Sequence, residues 1–302
     1  MIENFDDFCL HMFVLVDDEW KQIEMQFKRP GPQPSTCSDS ELLTMALVGE
    51  CCGWDMETEL LQRWQAHRDL FPRQPSQSRF NRRRRQLWEA LGLMRMNILK
   101  NLDVAQNDLC IIDSMPIPVV AFHHAPRASR EWAVHQASYG QVTAKRMTFY
   151  GYKLHILITS GGVILDWELA PAHVRDLPIA AELLDQHSHL TVIGDKAYIH
   201  RDVAADLRLR RSILLLTLPR TNQRLQLPKS FHRPFNAARL MIETVNSQLV
   251  EQFAIQVNHA LSFFGLCARL HTKLTAHTLC VYLNRLFGIS DFLHIKMLAF
   301  PI

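Results

Sequence analysis

Apolar positions in the first hundred residues recur at helical spacing. Ser38 and Glu41 form a capping-box pattern directly before an apolar run, and this pattern predicts the start of a helix. A second apolar stripe begins after Ser76 and Ser78, which are candidate caps, and recurs every three to seven residues at Phe80, Leu87, Leu91, Met94 and Ile98. We therefore expect residues 1–105 to form an all-helical region.

Short apolar runs of the strand type replace this spacing from about residue 107. Five of them predict strands, at residues 109–113, 150–159, 163–170, 191–195 and 212–217. Helical patterns alternate with the later strands, at residues 176–186, 200–209 and 236–254. This order predicts an α/β domain over residues 106–256, with a mixed five-stranded sheet flanked by helices. The apolar residues 259–287 predict a C-terminal helical extension over residues 257–302.

The composition excludes several classes of protein. The chain has 302 residues, of which 48% are hydrophobic and 21% charged, and this balance is typical of a folded globular protein. Its first residues are acidic, so no export signal is expected, and no apolar run is long enough to predict a membrane span. The seven scattered cysteines indicate reduced thiols, so we expect a cytoplasmic protein.

The net charge of +3 conceals an uneven distribution of charged residues. Residues 1–60 carry 13 acidic and 3 basic side chains, whereas residues 61–100 carry 10 basic and 2 acidic ones. Residues 196–239 again carry 10 basic and 2 acidic side chains. Two separate basic segments predict two surfaces that bind a polyanion such as nucleic acid. The alternative is that each segment is only a solvated helix face.

Four arginines of the first basic segment are expected to contact DNA. Arg79, Arg82, Arg83 and Arg85 lie largely off the apolar stripe of their helix, so we expect them to face outward. A helix that is held to a small core on one side and presents arginines on the other is a suitable DNA-docking element. Residues 1–105 are therefore interpreted as a DNA-binding region.

Three acidic residues fall at positions that suggest catalytic chemistry. Asp113 ends the first predicted strand, Asp195 ends the fourth, and Glu243 lies on the helix that closes the domain. If the first and fourth strands are neighbours, the two aspartates lie side by side, and a helix crossing that edge can deliver the third acid. Such a cluster requires hard divalent metal ions to neutralise it. Any one of these acids alone would be interpreted as a helix cap or a surface charge.

Four motifs and a C-terminal segment accompany these acids. They are Ile111-Ile112-Asp113-Ser114, Tyr150-Gly151-Tyr152-Lys153-Leu154-His155, Gly194-Asp195-Lys196-Ala197-Tyr198, Ile242-Glu243-Thr244-Val245-Asn246-Ser247-Gln248-Leu249, and the stretch from Asn258-His259 to Asn284-Arg285. Over roughly residues 75–288 the chain resembles bacterial insertion-sequence transposases of the Asp-Asp-Glu type.

The resemblance implies a ribonuclease-H-like catalytic core in which Asp113, Asp195 and Glu243 are the catalytic and metal-binding residues. It implies binding of double-stranded DNA at the terminal inverted repeats of an insertion sequence, cleavage there, and joining of the 3′ ends to target DNA. Mg²⁺ is the expected cofactor, and Mn²⁺ is expected to substitute for it. The expected assembly is a homo-oligomer, with a dimer as its expected size. Lys153 and Lys196 within the motifs, and Arg239 on the last helix, are further expected DNA contacts.

Two motifs depart from the family pattern. Ala197 stands where the motif of the second aspartate usually has glycine. Arg239 and Glu243 match the spacing of a Tyr, Arg, Glu, Lys signature in related groups, but Asn236 and Val250 occupy its Tyr and Lys positions. The DNA-backbone roles of that Tyr and Lys are therefore not transferred to this chain.

Two other functions remain open on the sequence alone. One is a structure-selective nuclease or resolvase on the same core, which cleaves DNA without joining it. The other is a catalytically inactive DNA-binding regulator derived from a transposase. A zinc site formed by Cys267, His271, His277 and Cys280 is not expected, because only the first two share a helix face.

Overall fold

The computed structural model describes residues 2–28, 37–102, 104, 108–142, 147–198, 200–217 and 229–300. Its helices are α1 (Phe5–Ile23), α2 (Asp39–Cys51), α3 (Glu57–Trp64), α4 (Gln77–Gln86), α5 (Trp88–Asn101), α6 (Arg130–Val134), α7 (Asp176–Leu184), α8 (Arg201–Arg211), α9 (Lys229–Glu251), α10 (Phe263–Leu286) and α11 (Lys296–Ala299). Its strands are β1 (Leu109–Val120), β2 (Ser138–Val142), β3 (Met147–Thr159), β4 (Ile164–Pro171), β5 (Thr191–Gly194) and β6 (Leu214–Thr217).

The chain forms two compact units. Residues 1–102 and 248–302 form the first, which we call the helical unit, and residues 103–247 form the second, which we call the sheet unit. The boundaries at residues 105 and 256 that the sequence suggested for three regions stay predictions.

The strands of the sheet unit form one mixed sheet in the order β2-β3-β1-β5-β6, and β4 also pairs with β3. β3 is antiparallel to β1, β2 and β4, whereas β5 is parallel to β1 and β6 is parallel to β5. This mixed sheet with its flanking helices is compatible with the ribonuclease-H-like fold that the resemblance implies. β1 lies between β3 and β5, at the centre of the sheet.

The prediction of a five-stranded sheet is wrong, because the described residues form six strands. The additional strand, β2, has the sequence Ser-Tyr-Gly-Gln-Val, and Gly140 is its one fully buried residue. β2 pairs with the first residues of β3 at the border of the sheet. A strand in that place needs no continuous apolar pattern, so its sequence carries no strand signal.

The first strand is longer than predicted. β1 continues past Asp113 through Pro116 and Pro118 and ends at Val120. Beyond Ile111 the described pairings of β1 are with β3 alone. Proline cannot donate a hydrogen bond to a ladder, and it is tolerated where one edge of a strand needs no donor. Asp113 therefore lies inside a strand, just beyond the point where the pairing with β5 stops.

One face of the sheet packs against α7 and α8. The core on this face contains Cys110, Ile112, Leu157, Ala180, Leu183, Leu184, Val192, Tyr198, Leu207 and Ile213. Successive side chains of a strand point to opposite faces of the sheet. Because Ile112 belongs to this core, Asp113 points to the opposite face.

α10 is the central helix of the helical unit. It packs against α2 and α5, and its buried residues occur on all sides of the helix rather than on one stripe. Lys273 of α10 and Glu50 of α2 are both buried, with 2.5 Å between Lys273 Nζ and Glu50 Oε2. Arg84 of α4 also pairs with Glu50, at 2.6 Å. One buried carboxylate thus connects three helices through two cations.

The apolar stripe that begins after Ser76 lies on two helices rather than one, because the helix is interrupted at Leu87, which separates α4 from α5. The apolar stripe predicted along it is correct, because Phe80, Leu87, Leu91, Met94 and Ile98 are all buried. The seven cysteines are free thiols. In the described parts of the chain, no helix combines the length and the apolar character needed to cross a membrane.

Candidate active site

Strand register aligns Asp113 with Asp195. β1 and β5 are parallel neighbours, and their paired residues are Leu109–Thr191, Cys110–Val192 and Ile111–Ile193. The two residue numbers differ by the same amount in each of these pairs and between Asp113 and Asp195. Asp195 directly follows the last residue of β5. The two acids therefore lie at the same level of two adjacent parallel strands, on the same face of the sheet.

Asp113 is a half-buried carboxylate. Burial raises the pKa of Asp113 to about 6, and the negative charge of Asp195 acts in the same direction. Hydrogen bonds from the backbone of Ser114 and from the side chain of Asn246 oppose this rise of the pKa. Asn246 Nδ2 donates to Asp113 Oδ2 at 2.9 Å. A carboxylate that burial and a second acid both disfavour is one that a bound cation would stabilise.

Asp195 is exposed, and a short turn holds its carboxylate. Oδ1 of Asp195 accepts a hydrogen bond of 2.7 Å from the backbone N–H of Ala197, within the helical turn Lys196–Tyr198. Gly194 permits this turn to fold back over the strand, because a Cβ at position 194 would lie 2.8 Å from the ring of Tyr198. The turn fixes the position of Asp195 at the end of β5.

The buried phenol of Tyr198 lies close to three carboxylates. Burial raises the pKa of Tyr198 well above its usual range, and the charges of Asp113, Asp176 and Asp195 raise it further. Asp176 also raises the pKa of Asp113 through its charge. Asp176 is therefore a third acid near the aspartate pair, and the sequence motifs did not reveal it. The sequence indicated Asp176 only through its position as the first residue of the helix that follows the strand hairpin.

Asp176 contacts two residues of β3. Lys153 Nζ lies 2.5 Å from Asp176 Oδ1, and His155 Nε2 lies 3.8 Å from the same oxygen. His155 is fully buried, and burial lowers its pKa to about 4, so its ring is neutral at neutral pH. Lys153, an expected DNA contact, is therefore paired with an acid of its own unit.

Glu243 lies on α9 and is exposed, with 61% of its side chain accessible to solvent. It forms a loose ion pair with Arg239, in which Arg239 Nη2 lies 3.8 Å from Glu243 Oε1. Among the described residues, no three His, Cys, Asp or Glu side chains are grouped so that they could hold a metal ion. The structure brings Asp113 and Asp195 together without Glu243, whose catalytic role stays a prediction.

Asn246 is the residue of α9 that contacts Asp113, and the sequence motifs did not single it out as functional. Ile242, Val245 and Leu249 are buried and form the apolar stripe of α9. Asn246 is half-buried at the edge of this stripe, one helical turn after Glu243. A polar residue at the edge of an apolar stripe was the feature of the sequence that could have identified Asn246.

The arginines of α4 fall into two groups. Arg79, Arg82 and Arg85 are exposed at intervals of three residues. Arg83 does not face outward, contrary to the expectation, because its guanidinium donates to both carboxylate oxygens of Asp39 at 2.9 and 2.8 Å. Arg83 also donates to the backbone oxygen of Phe27. Its donors are thus used within the helical unit.

Two of the three exposed arginines, Arg82 and Arg85, line a groove on the helical unit. Its other lining residues are polar or aromatic and comprise Glu57, Gln77, Ser78, Asn81, Gln86, Trp88 and Phe264. In the sheet unit, Lys196 and Arg239 are exposed. The part of the second basic segment at residues 218–228 lies outside the described residues.

The four residues considered for zinc have other contacts. His277 Nε2 lies 3.0 Å from Gln248 Oε1, and the ring of His271 packs against Trp88 with 4.9 Å between the ring centroids. Cys280 Sγ lies 3.4 Å from Cys51 Sγ in the core of the helical unit. These side chains therefore take part in hydrogen bonding and packing within the helical unit.

The side chains at the edge of the sheet suit a hard divalent cation. Asp113 and Asp195 supply carboxylate oxygens, and Asn246 carries an amide oxygen beside them. Mg²⁺ and Mn²⁺ prefer oxygen ligands of this kind. Burial is the largest cause of the raised pKa of Asp113, and a bound cation would favour the ionised carboxylate.

Comparison with known proteins assigns a family to this chain. A family model described as "Transposase DDE domain" matches residues 104–262, which is more than half of the sequence. The matched range includes all six strands and the positions of Asp113, Asp195 and Glu243. No curated protein and no solved structure matches the chain.

Proposed function

The chain belongs to the transposase DDE-domain family, and we propose that it binds the terminal inverted repeats of a bacterial insertion sequence, cleaves the element ends and joins their 3′ ends to target DNA. Members of this family are transposases, which bind DNA and generally use divalent metal ions. Mg²⁺ as the natural ion, Mn²⁺ as its substitute, a homodimeric assembly and a cytoplasmic location are parts of the proposal.

The parallel register that aligns Asp113 with Asp195 is the observation that supports this function best. Two carboxylates at one level of adjacent strands are costly to keep together unless they bind a cation or share a proton. Burial, and to a lesser extent the charge of Asp195, raises the pKa of Asp113 to about 6, so the ionised form of this acid is disfavoured. A site that exists for metal-dependent phosphodiester chemistry explains why the fold keeps both acids.

Each residue of the proposed site has a distinct role. Asp113 and Asp195 bind the divalent ions through their carboxylates, and Glu243 is proposed to join them from α9 when DNA is bound. Divalent ions held there would activate the attacking water or 3′-hydroxyl and stabilise the leaving oxygen. Arg239 pairs with Glu243 at 3.8 Å, so movement of Glu243 towards the aspartates would free Arg239 for a DNA phosphate.

The basic residues are proposed to bind DNA in two places. Arg79, Arg82 and Arg85 form an exposed row on α4, and their charge complements the phosphate backbone. In the sheet unit, Lys196 follows Asp195 directly and is exposed. Lys153 is proposed to bind a phosphate by exchanging its partner Asp176 for the DNA.

The function is tested with the variants Asp113→Asn, Asp195→Asn and Glu243→Gln on DNA that carries the element ends. We expect each variant to lose cleavage and strand transfer while DNA binding is largely kept, because each removes one charge from the metal site and none from the basic surfaces. Asp108→Asn is the matched control, since Asp108 is an exposed acid directly before β1. A variant that keeps near-wild-type strand transfer would remove its residue from the proposed site.

The same assay separates this function from its alternatives. Joining of a 3′ end to a second DNA distinguishes a transposase from a nuclease that only cleaves. Mg²⁺ and Mn²⁺ are expected to support both steps, whereas Ca²⁺ is expected to permit binding with little chemistry. Full activity in excess chelator would refute the metal-dependent mechanism.

A further inference from the structure

α9 brings a carboxamide into direct contact with the aspartate pair. Ile242, Val245 and Leu249 form its buried stripe, and Asn246 lies at the border of that stripe. From there Asn246 Nδ2 donates to Asp113 Oδ2 at 2.9 Å. The two residues are 133 positions apart in the chain, so only the packing of α9 on the sheet joins them.

The other end of the same carboxamide is buried without a partner. Oδ1 of Asn246 is inaccessible to solvent and has no hydrogen-bond partner in the described part of the chain. A buried amide oxygen of this kind is unfavourable unless something donates to it or binds it. It is bonded to the same carbon as Nδ2, so it lies within a few ångströms of the Asp113 carboxylate.

Rotation of the Asn246 carboxamide by half a turn about its Cβ–Cγ bond would exchange the positions of Oδ1 and Nδ2. Nδ2 would leave Asp113, and Oδ1 would take the place facing the carboxylate. Two oxygens with negative partial charge repel each other there unless a cation lies between them. Amide oxygens of Asn are ordinary ligands of hard divalent cations. The carboxamide can therefore neutralise Asp113 through its N–H group and, after rotation, bind an ion together with it.

Glu243 cannot fill this role in the described conformation. Its side chain is largely exposed and paired with Arg239, whereas Asn246 is already in contact with Asp113. At 3.6 residues per turn, positions 243 and 246 are about 60° apart around the helix, so both face the same flank of α9. α9 therefore offers oxygen-bearing side chains on that flank, and Asn246 is already in contact with Asp113.

We propose that Asn246 is a ligand of the divalent ion bound by Asp113 and Asp195, with its Oδ1 coordinating the ion. This inference rests on the proposed function, because it requires that the two aspartates bind a metal ion. It adds to the Asp-Asp-Glu set a neutral fourth ligand, which keeps the ion close to Asp113 while Glu243 is still turned away.

The proposal is tested by direct titration of the full-length protein with Mn²⁺, followed by electron paramagnetic resonance of the free ion, without DNA and without an activity readout. Asn246→Ala removes the amide oxygen and is expected to weaken Mn²⁺ binding at least about tenfold. Asn246→Asp keeps an oxygen in the same place and is expected to bind Mn²⁺ no more weakly than the wild type. Thr244→Ala, an exposed change on the same helix, is the matched control and is expected to leave binding unchanged.

The outcomes separate this inference from the function on which it rests. If the wild type binds Mn²⁺, Asp113→Asn abolishes binding, and Asn246→Ala binds as the wild type does, then Asn246 is no ligand and the metal site stands without it. Equal weakening in Asn246→Ala and Asn246→Asp would also overturn the proposal, because it would point to a packing role. If the wild type and Asp113→Asn bind Mn²⁺ equally, the proposed metal site itself is wrong. Circular dichroism of each variant checks that it is folded.

Discussion

Asp195 follows β5 at the level of Asp113 on β1, and its charge contributes to the raised pKa of Asp113, which burial sets at about 6. The fold thus keeps two acids close together at a cost in stability. An acid whose ionised form is disfavoured by burial and by a neighbouring charge has measurable consequences, both for stability and for the dependence of the proposed metal binding on pH.

Asp113→Asn is expected to stabilise the metal-free protein at pH 8. The pKa of Asp113 is raised from 3.8 to about 6, so the folded state binds a proton more tightly than the unfolded state does. The stability that this group contributes is present below pH 4 and is lost as the pH rises through 6. Asparagine removes the ionised form, which corresponds to a gain of up to about 3 kcal/mol in the free energy of unfolding at pH 8.

Urea denaturation of the wild type and of Asp113→Asn at pH 4 and pH 8, in the presence of chelator, measures this effect. The difference between the two proteins is expected to shrink at the lower pH. Asp108→Asn serves as the control, because Asp108 is exposed. Equal stability of wild type and Asp113→Asn at pH 8 would mean that the Asp113 carboxylate carries no penalty in the folded protein.

Binding of divalent ions is expected to weaken as the pH falls below about 6. Coordination requires the ionised carboxylate, and burial together with the charge of Asp195 holds the pKa of Asp113 at about 6. Below that pH a proton competes with the ion, so the apparent affinity for Mn²⁺ should fall by about tenfold per pH unit. Mn²⁺ titrations between pH 5 and pH 8 measure the slope. An affinity that stays constant down to pH 5 would exclude Asp113 as a ligand with this pKa.

The exposed arginines of α4 are expected to carry the salt dependence of DNA binding. The triple variant Arg79→Ala, Arg82→Ala, Arg85→Ala should weaken binding and reduce the slope of log affinity against log salt by about one unit for each phosphate that the protein no longer binds. DNA binding measured by fluorescence anisotropy over a series of salt concentrations gives the slope. An unchanged slope would mean that these residues form a solvated helix face and do not bind DNA phosphates.

Arg83→Ala provides the contrasting variant on the same helix. The Arg83 guanidinium bonds to both oxygens of Asp39 at 2.9 and 2.8 Å, and only 12% of its side chain is exposed. Its loss should lower the free energy of unfolding by about 1.5–3 kcal/mol, the range for hydrogen bonds to charged groups, with little change in the salt slope. Thermal denaturation and the same anisotropy series separate the two effects, and a large change in slope would restore Arg83 to the DNA surface.

Glu50→Gln is expected to destabilise the helical unit more than Lys273→Met does. Burial alone would raise the pKa of Glu50, but the charges of Lys273 and Arg84 outweigh it and lower the pKa, so the carboxylate stays ionised. Removing it takes the paired carboxylate from buried Lys273 and leaves Arg84 with Glu57 at 3.6 Å, at about 3–5 kcal/mol for a broken buried pair. Removing Lys273 still leaves Arg84 at 2.6 Å from Glu50.

Chemical denaturation of the two single variants tests this order. The double variant Glu50→Gln, Lys273→Met also removes the buried cation of Lys273 and leaves Arg84 with Glu57 at 3.6 Å, so it should be more stable than Glu50→Gln alone. If Lys273→Met is the more damaging single change, then Lys273 acts chiefly through its bond to the backbone oxygen of Phe253.

Local patterns in the sequence by themselves indicated much of the candidate site. The position of an acid beside a strand depends on nearby residues, so Asp113 and Asp195 could be chosen from the apolar runs around them. The apolar stripe through Phe80 and Ile98 could be predicted for the same reason, because periodicity reports which side of a helix is buried. The order of strands and helices further indicated a mixed sheet, since hairpins and crossovers leave different spacings in the chain.

The tertiary structure alone decided which distant residues meet. Arg83 and Arg85 look alike in the sequence, yet only Arg83 faces Asp39, because the packing of α4 on α2 brings those two side chains together. Asn246 meets Asp113 across 133 positions of the chain, and no local pattern encodes such a contact. Periodicity identifies the buried side of an element, whereas the partner on that side is set by how the elements pack.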